Sequence, residues 1–191
     1  MVLFHAALFL PSRSSSTHAL HLHTSHASHS NKVESITAVA DNEFSIDISN
    51  PLNDYESRSA VTVRASDLVD TDNERAGQVN FVVKWEGAQK QSTLAVMAAD
   101  DKALKPKKKG SPGFAPRPLT AAGEWTPVLA VDCRGLEPSG FNVGVDEFTV
   151  VSCGGSTFSE EVDFSDDWCE YCEKNEGAVS VNGVSFRWTA L

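Results

Sequence analysis

The chain is expected to fold mainly as β-structure, in a sandwich-like or partly open barrel arrangement with few or no helices. Three observations carry this expectation. Apolar and polar residues alternate over runs of four to eight residues from Phe44 onward. Clusters of Gly, Pro, Asn and Asp punctuate those runs, and no stretch of useful length shows the 3.6-residue period of an amphipathic helix. At 191 residues and 41% hydrophobic content, the chain is long enough to bury a core without metal staples.

Taken in order, residues 1–32 are expected to be a disordered or wrongly assigned N-terminal extension. Met1 to Leu10 reads MVLFHAALFL, too short an apolar run for the roughly 20 residues of a membrane-spanning helix. Its nearest basic residue, Arg13, lies downstream, whereas a secretory signal carries charge ahead of its apolar run. Organelle targeting by this segment stays open. Before Val33, the stretch TSHASHSNK has no strand pattern. A metal-binding role for His21, His23, His26 and His29 is disfavoured, because a flexible polar tract is poorly preorganised.

A single β domain is expected over 33–191. Strands are predicted at FSIDI from Phe44, AVTVR from Ala60, QVNFVVKW from Gln78, STLAVM from Ser92, PVLAVDC from Pro127 and EFTVVS from Glu147. Between Asp100 and Pro118, four prolines and six basic residues predict a solvated loop. Its cluster Lys105 to Lys109 is read as solubilising rather than as a nuclear import signal. At the C-terminus, AVSV and VSFRW flank Asn182 and Gly183, which predicts a closing hairpin with a type I′ turn.

Formal net charge is −10, and from Leu119 to Leu191 thirteen acids stand against Arg134, Lys174 and Arg187. Phosphate would be repelled there, so no nucleic-acid partner is expected. All six histidines, His5, His18, His21, His23, His26 and His29, lie in the first 29 residues. With 1–32 outside the domain, histidine bases and Ser/His or Cys/His nucleophile pairs are excluded from the core. The carboxylates from Glu160 to Glu176 are read as solvated, without the order of a calcium loop or the desolvation of a catalytic pair. SCGGST at Ser152 is followed by no helix that would make it a phosphate cradle.

The segments DCRGLEPSGF at Asp132 and GSTFSEEVDFSDDWCEYCEK at Gly155 resemble the eukaryotic CXXC-motif-containing zinc-binding protein family. Its members carry C-R-G-[LF]-E-P followed by G-T-x-F and [ED]-Y-D-E-K. VESIT at Val33 resembles the family's opening, and NFVVKWEGAQKQSTLAV at Asn80 lines up without a gap on N-L-V-x-K-C-x-x-C-x-R-x-x-T. The match is poor from about Asn50 to Gln78. The resemblance implies a β fold of two packed halves and one zinc held by two CxxC pairs. Here the second pair maps to Trp85 and Ala88, and the first falls between about Asn50 and Ser57, which hold no cysteine or histidine. Neither indole nor methyl coordinates zinc, so the family zinc is expected to be lost, with Trp85 filling part of the space. Asp163, Trp168 and Tyr171 are expected to fix a loop against the sheet.

Cys133 is expected to be a buried, inert thiol. Cys169 and Cys172 form a CxxC where the family has no cysteines, in a setting whose acids, Asp166, Asp167, Glu170 and Glu173, oppose a thiolate nucleophile. They are read first as two surface thiols; a reversible disulfide, or metal capture with Cys153 or an acid as further ligands, is the alternative. The functional expectation is a non-enzymatic protein-interaction module with no catalytic residues, no cofactor and no membrane or nucleic-acid partner. It is placed in the cytoplasm, with a nuclear pool left open. The competing readings are a metal-binding protein using Cys169 and Cys172, and a thiol redox protein.

Overall fold

The computed structural model describes residues 15–26, 32–73, 77–106 and 113–191. Strands β1 (Ser15–His26), β7 (Phe81–Val83), β8 (Ser92–Val96), β9 (Thr126–Arg134), β13 (Trp168–Cys172) and β14 (Gly177–Ala190) make one sheet in the order β13-β14-β1-β9-β8-β7. A second sheet joins β10 (Glu137–Asn142), β3 (Phe44–Asn50) and β4 (Asn53–Val63), and a third joins β12 (Thr157–Phe158), β11 (Phe148–Ser152) and β2 (Val33–Ala38). The short strands β5 (Val69–Asp70) and β6 (Gln78–Val79) pair with each other. Helical structure among the described residues is confined to the single 3-10 turns Lys102–Leu104 and Glu173–Asn175. The mainly β expectation therefore holds.

Alternation sets the faces. β3 reads FSIDISN, and Phe44, Ile46, Ile48 and Asn50 are all buried while the residues between them are only half-buried, the period-two signature of a strand with one face on a core. The sheets meet at a chain of rings. Phe44 of β3 faces Phe141 of β10 at 6.2 Å, Phe141 faces Phe186 of β14 at 4.8 Å, and Phe186 faces Phe148 of β11 at 5.7 Å. Offset and tilted ring pairs at such separations add stabilisation beyond the area they bury. The crossing from the six-stranded sheet to the second sheet is Gly135–Leu136, between β9 and β10. Gly135 holds φ +71° and Leu136 is buried, so this step of the C-R-G-L-E-P segment calls for a residue without a side chain.

Two expectations need correction. Residues 15–26 are not part of a disordered extension: β1 is a central strand, paired with β14 on one side and β9 on the other. Its Leu20 and Leu22 are fully buried and alternate with His21 and His23, a period-two pattern masked by the polar, histidine-rich composition. The folded domain consequently contains histidines, two of them buried. Residues 1–14 and 27–31, including the apolar run at Met1, lie outside the described residues.

The second correction concerns the C-terminal hairpin. β14 runs through Asn182 and Gly183 without turning, and changes neighbour there. Gly177 to Val181 pair with β13, and Asn182 to Ala190 pair with β1. A type I′ turn needs positive φ at both central residues, and only Gly183 has it, at +61°. Asp167 accepts the Gly183 N–H at 2.8 Å and Ser25 Oγ donates to Asn182 O at 3.1 Å, pinning the bend. A Cβ at position 183 would collide with the Ser25 hydroxyl. Gly183→Ala is therefore expected to cost about 2 kcal/mol, combining a left-handed backbone with a clash. Urea unfolding measures this, and Ser25→Gly in the same chain is expected to return the steric part.

The Asp100 to Pro118 segment is anchored at its ends. Leu104 is buried, Phe114 N–H donates to Leu104 O at 3.0 Å, and Arg117 N–H donates to Pro127 O at 3.0 Å. Just beyond it, Leu119 exchanges two backbone hydrogen bonds with Ile36, at 2.8 and 2.9 Å. Lys107 to Pro112 lie outside the described residues.

Candidate functional site

A CxxC pair chelates or bridges only when a tight turn brings residues i and i+3 together. That turn exists at Trp85–Ala88: the Ala88 N–H donates to Trp85 O at 3.1 Å and Gly87 holds φ +68°. The side chains at its ends are not ligands. Trp85 is buried in the core, and its indole Nε1–H donates to Gly135 O at 2.9 Å. Ser92 Oγ donates to the same carbonyl at 2.7 Å. Ala88 packs half-buried against the core.

The segment mapped to the first pair closes on itself. Asn50 Nδ2 donates to Glu56 Oε2 at 2.5 Å, the Leu52 N–H donates to Asn50 Oδ1 at 3.0 Å, and the Tyr55 N–H donates to Asn53 Oδ1 at 3.3 Å. These residues do not fit a four-thiolate zinc centre: one apex is filled by a hydrogen-bonded indole, and the other offers amide and carboxylate oxygens already engaged or exposed.

At Cys169 and Cys172 the thiols are present and the turn is missing. Both lie on β13, a regular strand paired with β14 from Trp168↔Val181 to Cys172↔Gly177. Positions i and i+3 of a strand are about 10 Å apart and face opposite ways, beyond the reach of a disulfide. Cys169 is exposed and Cys172 is buried, with its Sγ 3.3 Å from Ser156 Oγ and 3.7 Å from Ser152 Oγ. The expectation of two surface thiols is thus half right. It fails for Cys172 because residues i and i+3 of a strand face opposite ways, so one of the two turns into the core. No cysteine is in a disulfide, and among the described residues no group of three or more His, Cys, Asp and Glu side chains is arranged to hold a metal.

Cys133 is fully buried on β9, as expected of an inert thiol, and burial pushes its pKa up to about 12. In the native protein a thiol reagent is expected to label Cys169 and Cys153 within minutes, and Cys133 and Cys172 only on unfolding; peptide mass spectrometry checks this.

The family-type residue Asn80 proves to be a hub that pattern matching alone could not interpret. Buried between β6 and β7, it donates through Nδ2 to Arg64 O, Ala65 O and Asp67 O at 2.9, 2.9 and 3.1 Å. Its Oδ1 accepts the Val96 N–H at 2.7 Å. Of the three residues expected to fix a loop, Asp163 accepts the Ser165 N–H at 2.8 Å and Trp168 is buried edge-on against Phe158. Tyr171 is instead 63% exposed. A groove lined by Thr157, Phe158, Ser159, Glu160, Glu161 and Glu170 carries three carboxylates.

Glu147 is a carboxyl that the sequence reading passed over. It is buried, Oε2 has no partner among the described residues, and burial lifts its pKa to about 7. The folded state therefore holds this proton where the unfolded chain has released it. This contribution is complete below pH 4.5 and is lost as pH rises towards 7. Glu147→Gln is expected to be more stable than the parent at pH 8 by about 1–3 kcal/mol, with the two converging near pH 4.5; urea midpoints across that range provide the check.

The histidines missed in the sequence face two ways along β1. His18 and His21 are buried, and burial holds both imidazoles below their usual pKa. The outer end of β1 carries a stack: His23 and Trp125 rings lie 4.8 Å apart, and the Arg187 guanidinium lies 4.0 Å over the Trp125 ring. The alternation THALHLH was the available signal.

A family model described as "CXXC motif containing zinc binding protein, eukaryotic" matches residues 25–189. UPF0587 protein CG4646 of Drosophila melanogaster is 28% identical over 130 residues, covering 68% of this chain and 71% of that protein. Two solved structures share the fold: a hypothetical protein from Plasmodium falciparum and C1orf123. The first has a TM-score of 0.71 at 19% identity, covering 91% of this chain and 99% of that one. The second has a TM-score of 0.71 at 18% identity, covering 92% and 99%.

Proposed function

The chain belongs to the eukaryotic CXXC motif containing zinc binding protein family, and from that premise we propose that it is a non-enzymatic β scaffold that works without the family's zinc and binds a protein partner through its β3–β4 hairpin. The observation that carries the reading is the surface of that hairpin. β4 is an eleven-residue strand at the end of its sheet, its residues mostly exposed. Leu52 is 67% and Tyr55 97% exposed at its tip. Exposed apolar side chains beside a long unpaired strand edge suit the addition of a partner strand, whose backbone completes the ladder.

The separated thiols of Cys169 and Cys172 support a role outside redox and metal chemistry. Four cysteines outside any disulfide support a reducing compartment such as the cytoplasm. The test compares proteins crosslinked in cells to the parent and to a Leu52→Ser/Tyr55→Ser double variant of equal thermal stability. A partner enriched by the parent and lost with the variant is expected. The same set captured by both would remove the hairpin from the account.

A further inference from the structure

The outer face of the six-stranded sheet gathers two arginines that have no ion-pair partner among the described residues. His21 is the centre of this arrangement. On β14 it is paired with Arg187 and on β9 with Pro127, whose carbonyl accepts the Arg117 N–H at 3.0 Å. Arg187 therefore stands directly across from His21 on β14, and Arg117 stands beyond β9, held against Pro127; each is near enough to depress the protonation of His21. Neighbouring strands are about 4.8 Å apart, so Arg187 starts about one strand spacing from His21 on one side and Arg117 about two on the other, distances a long arginine side chain can bridge.

Neither guanidinium has a carboxylate partner among the described residues, where the ion pairs are Arg64–Glu43 and Arg134–Asp132. Arg187 is instead held over Trp125, which stacks on His23; Ser185 Oγ lies 3.5 Å from His23 Nδ1. Arg117 Nη1 donates to the backbone carbonyl of Gly113 at 3.3 Å. The imidazole of His21 is 8% exposed, edge-on to Phe114, and neither of its nitrogens has a hydrogen-bond partner among the described residues; the Trp125 backbone favours its protonated form without completing one. Glu124, next to Trp125, is exposed.

A chain of net charge −10 would be expected to neutralise such a pair of arginines with its own acids. Among the described residues no acid pairs with either. We propose that Arg117, Arg187 and His21 form a binding site for a phosphate-type oxyanion. Two guanidinium forks supply the paired donors that recognise such an anion, and their combined charge suits a dianion better than a monocarboxylate. The cation held over Trp125 is pre-positioned, which lowers the ordering cost of binding. The unpartnered imidazole beneath supplies a further donor once the anion offsets the two arginines.

The experiment titrates the protein at low ionic strength with inorganic phosphate and, separately, with phenyl phosphate, against a chloride control. Trp125 fluorescence and the ring resonances of His21 are followed. Saturable binding is expected, with the His21 pKa rising on saturation. Arg187→Gln and Arg117→Gln, each confirmed folded by its thermal transition, are expected to weaken binding at least tenfold. Saturation by inorganic phosphate identifies a free-anion site, and saturation by phenyl phosphate alone identifies a phosphomonoester site; either supports the assignment. No saturable response to either probe, or equal affinity in the parent and both folded variants, would overturn it.

Discussion

Trp85→Ala is expected to destabilise the protein by about 3–5 kcal/mol, the range for removing a buried tryptophan. The indole is 6% exposed in the main core and ties the Trp85–Ala88 turn to Gly135, at the crossing between two sheets. Truncation leaves a cavity there and removes one of the two donors to the Gly135 carbonyl, with Ser92 keeping the other. Trp85→Phe retains most of the volume and loses the N–H, so its expected cost is smaller, about 1 kcal/mol. Urea unfolding of both variants checks the order. A Trp85→Ala chain within 1 kcal/mol of the parent, well short of the expected range, would show that the indole does not hold this end of the fold.

Asn80 is the second site of large expected effect. Its carboxamide engages three carbonyls of the 64–67 segment and one N–H of β8. Asn80→Ala is expected to cost about 3 kcal/mol, since three carbonyls and an N–H lose the buried carboxamide that joins them, at roughly 1 kcal/mol each. Asn80→Asp is expected to cost at least as much despite its matching shape. A carboxylate keeps the acceptor and replaces the donor, placing an anion against three carbonyl oxygens. Unfolding midpoints at pH 7 should place Asp at or below Ala; a near-neutral Asp variant would contradict the donor role of Nδ2.

Strand placement was legible where apolar alternation was undiluted. FSIDI, STLAVM, PVLAVDC and EFTVVS fall on β3, β8, β9 and β11. β1 was missed because histidine occupies the face opposite Leu20 and Leu22, and composition outweighed period. The run QVNFVVKW splits at Asn80, whose backbone N–H still donates to Leu94 O while its side chain serves as a hydrogen-bond hub, a role invisible to alternation. Asn182–Gly183 misled because a glycine suited to a turn also suits a strand bend at which the neighbour changes. At the candidate site, the lack of metal-coordinating side chains at Trp85 and Ala88 was readable directly. The separation of Cys169 from Cys172 was not, because CxxC spacing specifies a pair only after the backbone between the cysteines is known to turn.

A hydrogen-bonded tryptophan occupies the place that the family pattern gives to a zinc ligand, and we propose that the fold stands without the metal. The most direct test is zinc per chain, measured on protein purified without a histidine tag, together with the thermal transition before and after a strong chelator. Near-zero zinc and one cooperative transition unmoved by the chelator are predicted. About one zinc per chain, with a transition that collapses on chelation, is the behaviour of a structural metal site and would contradict the claim.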